Sequence, residues 1–243
     1  MADSIGPGDV GGTDSGGHQP LVSVVVITHN EATRIGACLE SIFEACAPLD
    51  RFEVVLVDSR SSDDTLDVAR EFPITILQLP GDATVTPSAG RFVGTAATSG
   101  DIVLFVDGDM VLESGWLEAA CRRVREDPGL AGVDGHLGES NTTDDRATDV
   151  LRGVVLYDRT ALETVGGFDP HLHSLEDIDL SYRLAAEGYR LVRLAAVVAN
   201  HPVRDGDGER WRRWRNGYFH GRGELFRKYG GRPRLFARLA YRT

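Results

Sequence analysis

Apolar runs and helical patterns alternate through the first half of the chain. The run Val22 to Thr28 is followed by a helical pattern from Glu31 to Cys46, and the run Phe52 to Val57 by a helical segment from Asp63 to Phe72. A third run, Ile74 to Leu79, precedes a helix with Pro87 in its first turn, and a fourth, Ile102 to Val106, is flanked by polar residues. Short apolar runs bounded by polar residues read as buried strands, and their alternation with helices predicts βαβ units and a mostly parallel central sheet flanked by helices, an α/β fold.

Beyond this repeat the pattern loosens. Trp116 to Arg125 predicts a surface helix, and Asn141 to Asp149 is an acidic, Thr-rich stretch without periodicity. The turn Gly166-Gly167-Phe168-Asp169-Pro170 leads to Leu175-Glu176-Asp177-Ile178-Asp179-Leu180, which opens a helix running to about Glu187; a strand from Tyr189 to Val198 follows. Residues 1–20 are rich in Gly, Asp, Ser and Pro and read as a disordered tail. Residues 204–243 read as a helical segment with an aromatic face, from Trp211, Trp214, Tyr218 and Phe219.

Composition narrows the classes. With 42% hydrophobic residues the chain is too apolar for disorder, yet its longest apolar stretches fall far short of the roughly 20 residues that cross a bilayer. The N-terminus shows no secretory signal, and Cys38, Cys46 and Cys121 are too few for a disulfide framework, so a cytoplasmic setting is expected. The net charge of −11 argues against a general nucleic-acid binder, which needs a basic face to displace counterions. The excess is uneven, because residues 204–243 hold twelve Arg/Lys against four Asp/Glu. Almost all the basic charge is arginine, Lys228 being the only lysine. Salt adaptation and an Arg-favouring GC-rich genome both account for that bias.

Ligands of parallel α/β sheets bind beyond the carboxyl ends of the strands. The loops there read Thr28-His29-Asn30-Glu31, Asp58-Ser59-Arg60-Ser61-Ser62-Asp63 and Asp107-Gly108-Asp109, a concentration of polar and acidic groups. Asp107 and Asp109 on a tight turn suit a hard cation such as Mg²⁺ or Mn²⁺, or are a solvated Asp-Gly turn. Glu176, Asp177 and Asp179 either complement a helix dipole or supply, in Asp177, a general base. Asp58 either caps the following helix or accepts hydrogen bonds from a ribose or base. Arg91 is a surface residue or a phosphate partner, and His201, after the last strand, a structural histidine or a ligand. No GxxxxGK[ST], G-x-G-x-x-G after the first strand, H-E-x-x-H or G-x-S-x-G motif occurs.

Taken in order, these segments resemble family 2 of the nucleotide-sugar glycosyltransferases, with the GT-A fold, over about Leu21 to Lys228. Val22 to Glu31 is similar to the family's VSVVIPTYNE strand, and Glu53 to Thr65 to its VIVVDDGSTDGT segment. Ser88 to Gly94, Gly100-Asp101 and Phe105 to Asp109 are similar to SAARNxG, GD and FLDAD; Gly166 to Asp169 and Glu176 to Arg183 are similar to GGFD and EDxDLxxR. The resemblance implies one domain over 21–203, with a Rossmann-like nucleotide-binding half at about 21–110 and an acceptor half at about 111–203. It implies that Thr28, Asn30, Glu31, Asp58, Arg91 and Asp107 face the nucleotide, that Asp107, Asp109 and His201 hold the cation, and that Asp177 is the base of an inverting transfer. Glu176, Trp211 and Trp214 would stand behind the acceptor, a glycan or a polyprenyl-phosphate-linked carrier. Ser59 replaces the second Asp of VDD and Phe92 the usual Asn, so the nucleotide is not implied. Arg210-Trp211-Arg212-Arg213-Trp214 departs from the QxxRW of processive synthases, which favours single transfers. The basic C-terminal segment is a solvated helix or a peripheral contact with the anionic inner face of a membrane. The rivals are a haloacid-dehalogenase-type phosphatase, against which Met110 and the late position of the Asp pair count, and a non-catalytic sugar-nucleotide-binding module.

Overall fold

The computed structural model describes residues 21–81, 85–200 and 220–241. Residues 1–20, His201 and the aromatic positions Trp211, Trp214, Tyr218 and Phe219 lie outside the described residues.

Four strands, β1 (Val22–Thr28), β2 (Phe52–Asp58), β3 (Thr75–Gln78) and β4 (Ile102–Asp107), form a parallel block in the order β3-β2-β1-β4. All seven residues of β1 are buried because helices cover both faces of the sheet. Val22, Val24 and Val26 share a core with Ile35, Leu39 and Ile42 of α1 (Ile35–Cys46), while Val25 and Ile27 face the other side and α3 (Pro87–Ala96). Register aligns Thr28 with Asp58 and Ile27 with Asp107, so the polar residues that end the three central strands sit on one edge.

The predicted helix at Glu31 begins at Ile35 instead, because Asn30 adopts φ +57° and Glu31 to Arg34 form a turn closed by Ile35 N–H to Glu31 O at 2.9 Å. α2 (Thr65–Ala69) is likewise shorter than the predicted Asp63 to Phe72.

The second half departs further from the pattern. β5 (Val111–Leu112), α4 (Trp116–Glu126), β6 (Leu130–Leu137), β7 (Arg146–Ala147), β8 (Val155–Asp158), α5 (Arg159–Thr164), α6 (Glu176–Ala186) and β9 (Arg190–Asn200) extend the sheet as β4-β8-β6-β9-β5, with β7 on β9. β8 runs antiparallel to both β4 and β6, and β5 and β7 antiparallel to β9, so the parallel block continues into a mixed sheet. β6 escapes detection by pattern because Gly132, Asp134, Gly135 and His136 interrupt its apolar run. Gly132 is required there, since a Cβ would lie 2.6 Å from the Tyr157 ring.

The C-terminal helices α7 (Gly221–Tyr229) and α8 (Pro233–Tyr241) pack on α6 through Leu225, Tyr229, Leu235 and Leu239, which meet Tyr182, Leu172 and Val150. No helix among the described residues is long and apolar enough to cross a membrane.

Candidate functional site

The loop after β2 is organised by its own acids. Asp58 is fully buried, and its carboxylate accepts from the Ser61 amide at 2.9 Å, the Ser61 hydroxyl, and Gln78 Nε2 at 3.0 Å. The helix-capping alternative for Asp58 is therefore not what the structure uses; α2 is approached instead by Asp63, which accepts from the Thr65 amide at 3.1 Å. Hydrogen bonding to Thr65 holds the Asp63 carboxyl below its ordinary range. Asn30 ties this loop to the end of β1: its amide donates to Ser61 Oγ and its Oδ1 accepts from the Ser62 amide, both at 2.8 Å. Glu31 is buried, pairing with Arg34 Nε at 2.7 Å while its amide donates to Thr65 Oγ1 at 2.8 Å.

The acidic turn after β4 rests directly on β1. Gly108 N–H donates to Ile27 O at 2.8 Å, and a Cβ on Gly108 would lie 2.9 Å from Thr28 Oγ1, so only glycine lets the turn pack this closely. The buried Thr28 Oγ1 has no hydrogen-bond partner, which leaves a polar atom at the strand end for a ligand. Asp109 is buried and the Asp107 side chain is one-third exposed. Under the turn, the Cys38 thiol lies 3.7 Å from Asp107 O; burial, then Asp109 and Asp107, push it far up, so it is an inert thiol.

Arg91 links this turn to α6. Sequence left it either on the surface or on phosphate, and the structure buries it, with Nη2 2.8 Å from Asp107 Oδ1 and Nη1 2.7 Å from Glu176 Oε1. Burial alone would lower its pKa, but Asp107, Asp177 and Glu176 outweigh that and raise it. The guanidinium also lies 5.7 Å over the Phe168 ring. Arg91 therefore brings the acids of two segments 69 positions apart in the chain, Asp107 and Glu176, to one cation.

Asp177 stands beside Glu176 in the first turn of α6, after Leu175, whose φ of +63° swings the chain into the helix. Burial, then Glu176 and Asp107, push its carboxyl up to about 8 against the opposing pull of Arg91. A half-buried carboxyl poised near neutrality can accept a proton at working pH.

The donor chemistry at the turn fits a hard divalent cation, two carboxylates being carried on one strand end. Among the described residues no group of three or more His, Cys, Asp or Glu side chains forms a metal cage, so a cation there would draw further ligands from elsewhere; His201, the third ligand expected from sequence, lies outside the described residues.

Sequence reasoning missed the pairing of Arg91 with Glu176, which joins distant segments and has no local signal. It also missed Tyr157 on β8, a fully buried residue whose hydroxyl pKa is raised by burial and then by Asp177.

Residues 23–166 match the sequence model of Glycosyl transferase family 2. Glycosyltransferase AglE of Haloferax volcanii is 30% identical over 207 residues, covering 76% of this chain and 68% of that protein. A pre-mycofactocin glycosyltransferase of Mycobacterium tuberculosis is 30% identical over 212 residues, covering 74% of this chain and 43% of its own length. Among solved structures, the mannosyltransferase PcManGT from Pyrobaculum calidifontis, in complex with GDP-Man and Mn²⁺, superposes with TM-score 0.68 at 24% identity, covering 87% of this chain and 65% of that one. TarS residues 1–349 from S. aureus, in complex with UDP-GlcNAc, gives TM-score 0.64 at 23% identity, covering 76% and 59%. These likenesses carry the GT-A fold, and the chain spans 59–65% of the length of the two solved chains.

Proposed function

The chain belongs to glycosyl transferase family 2, and from that premise we propose that it moves a single sugar from a nucleotide-diphosphate sugar to a hydroxyl or phosphate acceptor, with inversion and a divalent cation. Family membership sets the phosphatase rival aside. The observation that carries the mechanism is the Arg91 bridge, which fixes the acidic turn and the start of α6 in one rigid group.

In this reading Thr28, Asn30, Glu31 and Asp58 line the nucleotide pocket at the strand ends, in the half of about 21–110. Asp107 and Asp109, completed by His201, would hold Mn²⁺ or Mg²⁺, which supplies charge neutralisation for the departing diphosphate. Asp177 takes the proton of the attacking hydroxyl as the acceptor oxygen bonds to the anomeric carbon and the bond to the diphosphate breaks. Its raised pKa supports that role, since a weakly basic carboxylate of ordinary pKa accepts a proton less readily. Glu176 orients the base through Arg91. The acceptor is a glycan or a polyprenyl-phosphate-linked carrier, met by the half of about 111–203 with Trp211 and Trp214. The basic balance of residues 204–243 supports a peripheral position on the anionic inner face of a membrane.

The test is a thermal-shift screen of nucleoside diphosphates with and without Mn²⁺ or Mg²⁺. One nucleotide should stabilise the protein in a metal-dependent way, and Asp109→Asn should remove the metal dependence. No stabilisation by any nucleotide with either metal overturns the reading. If donor binds but Asp177→Asn transfers sugar as fast as the unaltered chain, the base is misassigned.

A further inference from the structure

We propose that Lys228, the only lysine of the chain, is a positioning residue for the catalytic turn, fastening the C-terminal helix α7 to α6 so that Asp177 keeps its direction. The proposal rests on the reading of Asp177 as the base.

Lys228 Nζ lies 2.6 Å from Asp169 Oδ2 and 2.8 Å from Asp179 Oδ1. Asp179 is fully buried and also receives Arg183 Nη2 at 2.7 Å and the Tyr229 hydroxyl at 2.8 Å. A buried carboxylate is tolerated only when its charge and lone pairs are satisfied. Arg183 divides its donors, giving Nη1 to Val165 O at 2.6 Å and Nη2 also to Gly167 O at 2.7 Å, so Lys228 brings the second cation.

The geometry gives this contact leverage on the site. Asp177 and Asp179 are two positions apart on α6, about 200° around a helix of 3.6 residues per turn, so they point to opposite sides. Glu176 is held by Arg91 on the donor side and Asp179 by Lys228 on the C-terminal side. Glu176 and Asp179 are three positions apart, about 60° from one another around the helix, so the two anchors hold one side of the first turn from two different segments, and Asp177, next to Glu176, is aimed by them. Lys228 reaches the donor side as well, because the main-chain oxygen of its partner Asp169 accepts from Ser88 Oγ of α3 at 2.6 Å. The other end of α7 is seated independently: Glu224 accepts from the His173 amide at 3.1 Å and contacts His173 Nδ1 at 2.6 Å, and a Cβ on Gly221 would overlap Ser174 Oγ.

Two measurements test this. Lysine-selective ¹⁵N labelling gives one Nζ signal, which should be protected from exchange in the full chain and lose that protection in Asp179→Asn; an unprotected signal in the unaltered chain overturns the clasp whatever the turnover. Kinetically, Lys228→Met should lower kcat about ten- to hundredfold, the range set by small misplacements of a reacting group, with donor KM changed less than about twofold, and Lys228→Arg should recover most of the rate. If Lys228→Met does not fold, Asp169→Asn, which removes one arm, should show a smaller loss of kcat alone. An unchanged kcat in the folded variants, or kcat and donor KM moving together, overturns the positioning role. An unaltered chain that transfers no sugar while its ammonium signal is protected counts against the base and not against the clasp.

Discussion

At Asp177, function and stability pull in opposite directions. Burial, then Glu176 and Asp107, raise its folded pKa to about 8 from an ordinary value of 3.8. The folded state therefore binds this proton more tightly than the unfolded chain does. The resulting stabilisation is fully present below the unfolded value and is lost as pH rises through the folded one. Asp177→Asn, which stays neutral throughout, should melt a few degrees above the unaltered chain at pH 8.5, given ~2–4 °C per kcal/mol for a domain of this size. The gap should close near pH 4, while sugar transfer falls by about 10²–10⁴ at and above pH 8, where Asp177 is deprotonated, and by less at lower pH; melting curves and initial rates of both proteins check this. Arg91 is the counterweight. Replacing it with Met leaves Asp107 and Glu176 without the cation between them, and loss of one partner of a buried ion pair costs about 3–5 kcal/mol. Urea unfolding of Arg91→Met should show a loss of that size, whereas Arg122→Met, whose partner Glu118 is exposed, should lose less than about 1 kcal/mol.

At the scale of elements, α3 seats against β1 through two glycines. A Cβ on Gly90 would lie 2.9 Å from Ile27 Cγ2, and one on Gly94 would overlap Val25 Cγ1. Gly94→Ala should therefore destabilise by about 1–3 kcal/mol, the ordinary cost of overpacking, despite the better helix propensity of alanine; chemical denaturation decides the sign. The same packing explains what could be read in advance. β1, β2, β4 and α3 were legible because strands covered on both faces are apolar throughout and Pro87 marks a helix start. β6 and β8 were not, because one is broken by glycines and buried polar residues and the other runs into α5 with no loop between them, Asp158 ending the strand and capping the helix. Asp107, Asp109, Asp177 and Arg91 were legible as candidates from their places at strand and helix ends. Their mutual arrangement was not, since an ion pair between Arg91 and Glu176 depends on how α6 packs across the sheet.

The whole molecule carries −11, with the basic excess gathered at its C-terminal end. That imbalance bears on stability through general repulsion, and on the salt-adapted and codon-driven readings of the composition. Exposed pairs such as Arg70 with Asp67 and Arg122 with Glu118 contribute little, so screening them costs little. The Arg91 and Lys228 groups are shielded by burial and are screened much less than surface charges. Added KCl should thus raise the melting temperature by relieving repulsion among the remaining acids. The Debye length falls from about 10 Å at 0.1 M to about 3 Å at 1 M, so repulsion between charges further apart is already suppressed within that range. Relief of repulsion alone therefore predicts a rise that flattens before about 1 M. Adaptation to salt predicts a rise that continues into the molar range and poor refolding in dilute buffer. Because the acids nearest the site are already held by Arg91, Arg183 and Lys228, the flattening curve is the expected one, and a continued rise in melting scans at 2–3 M KCl would instead assign the acidic surface to salt.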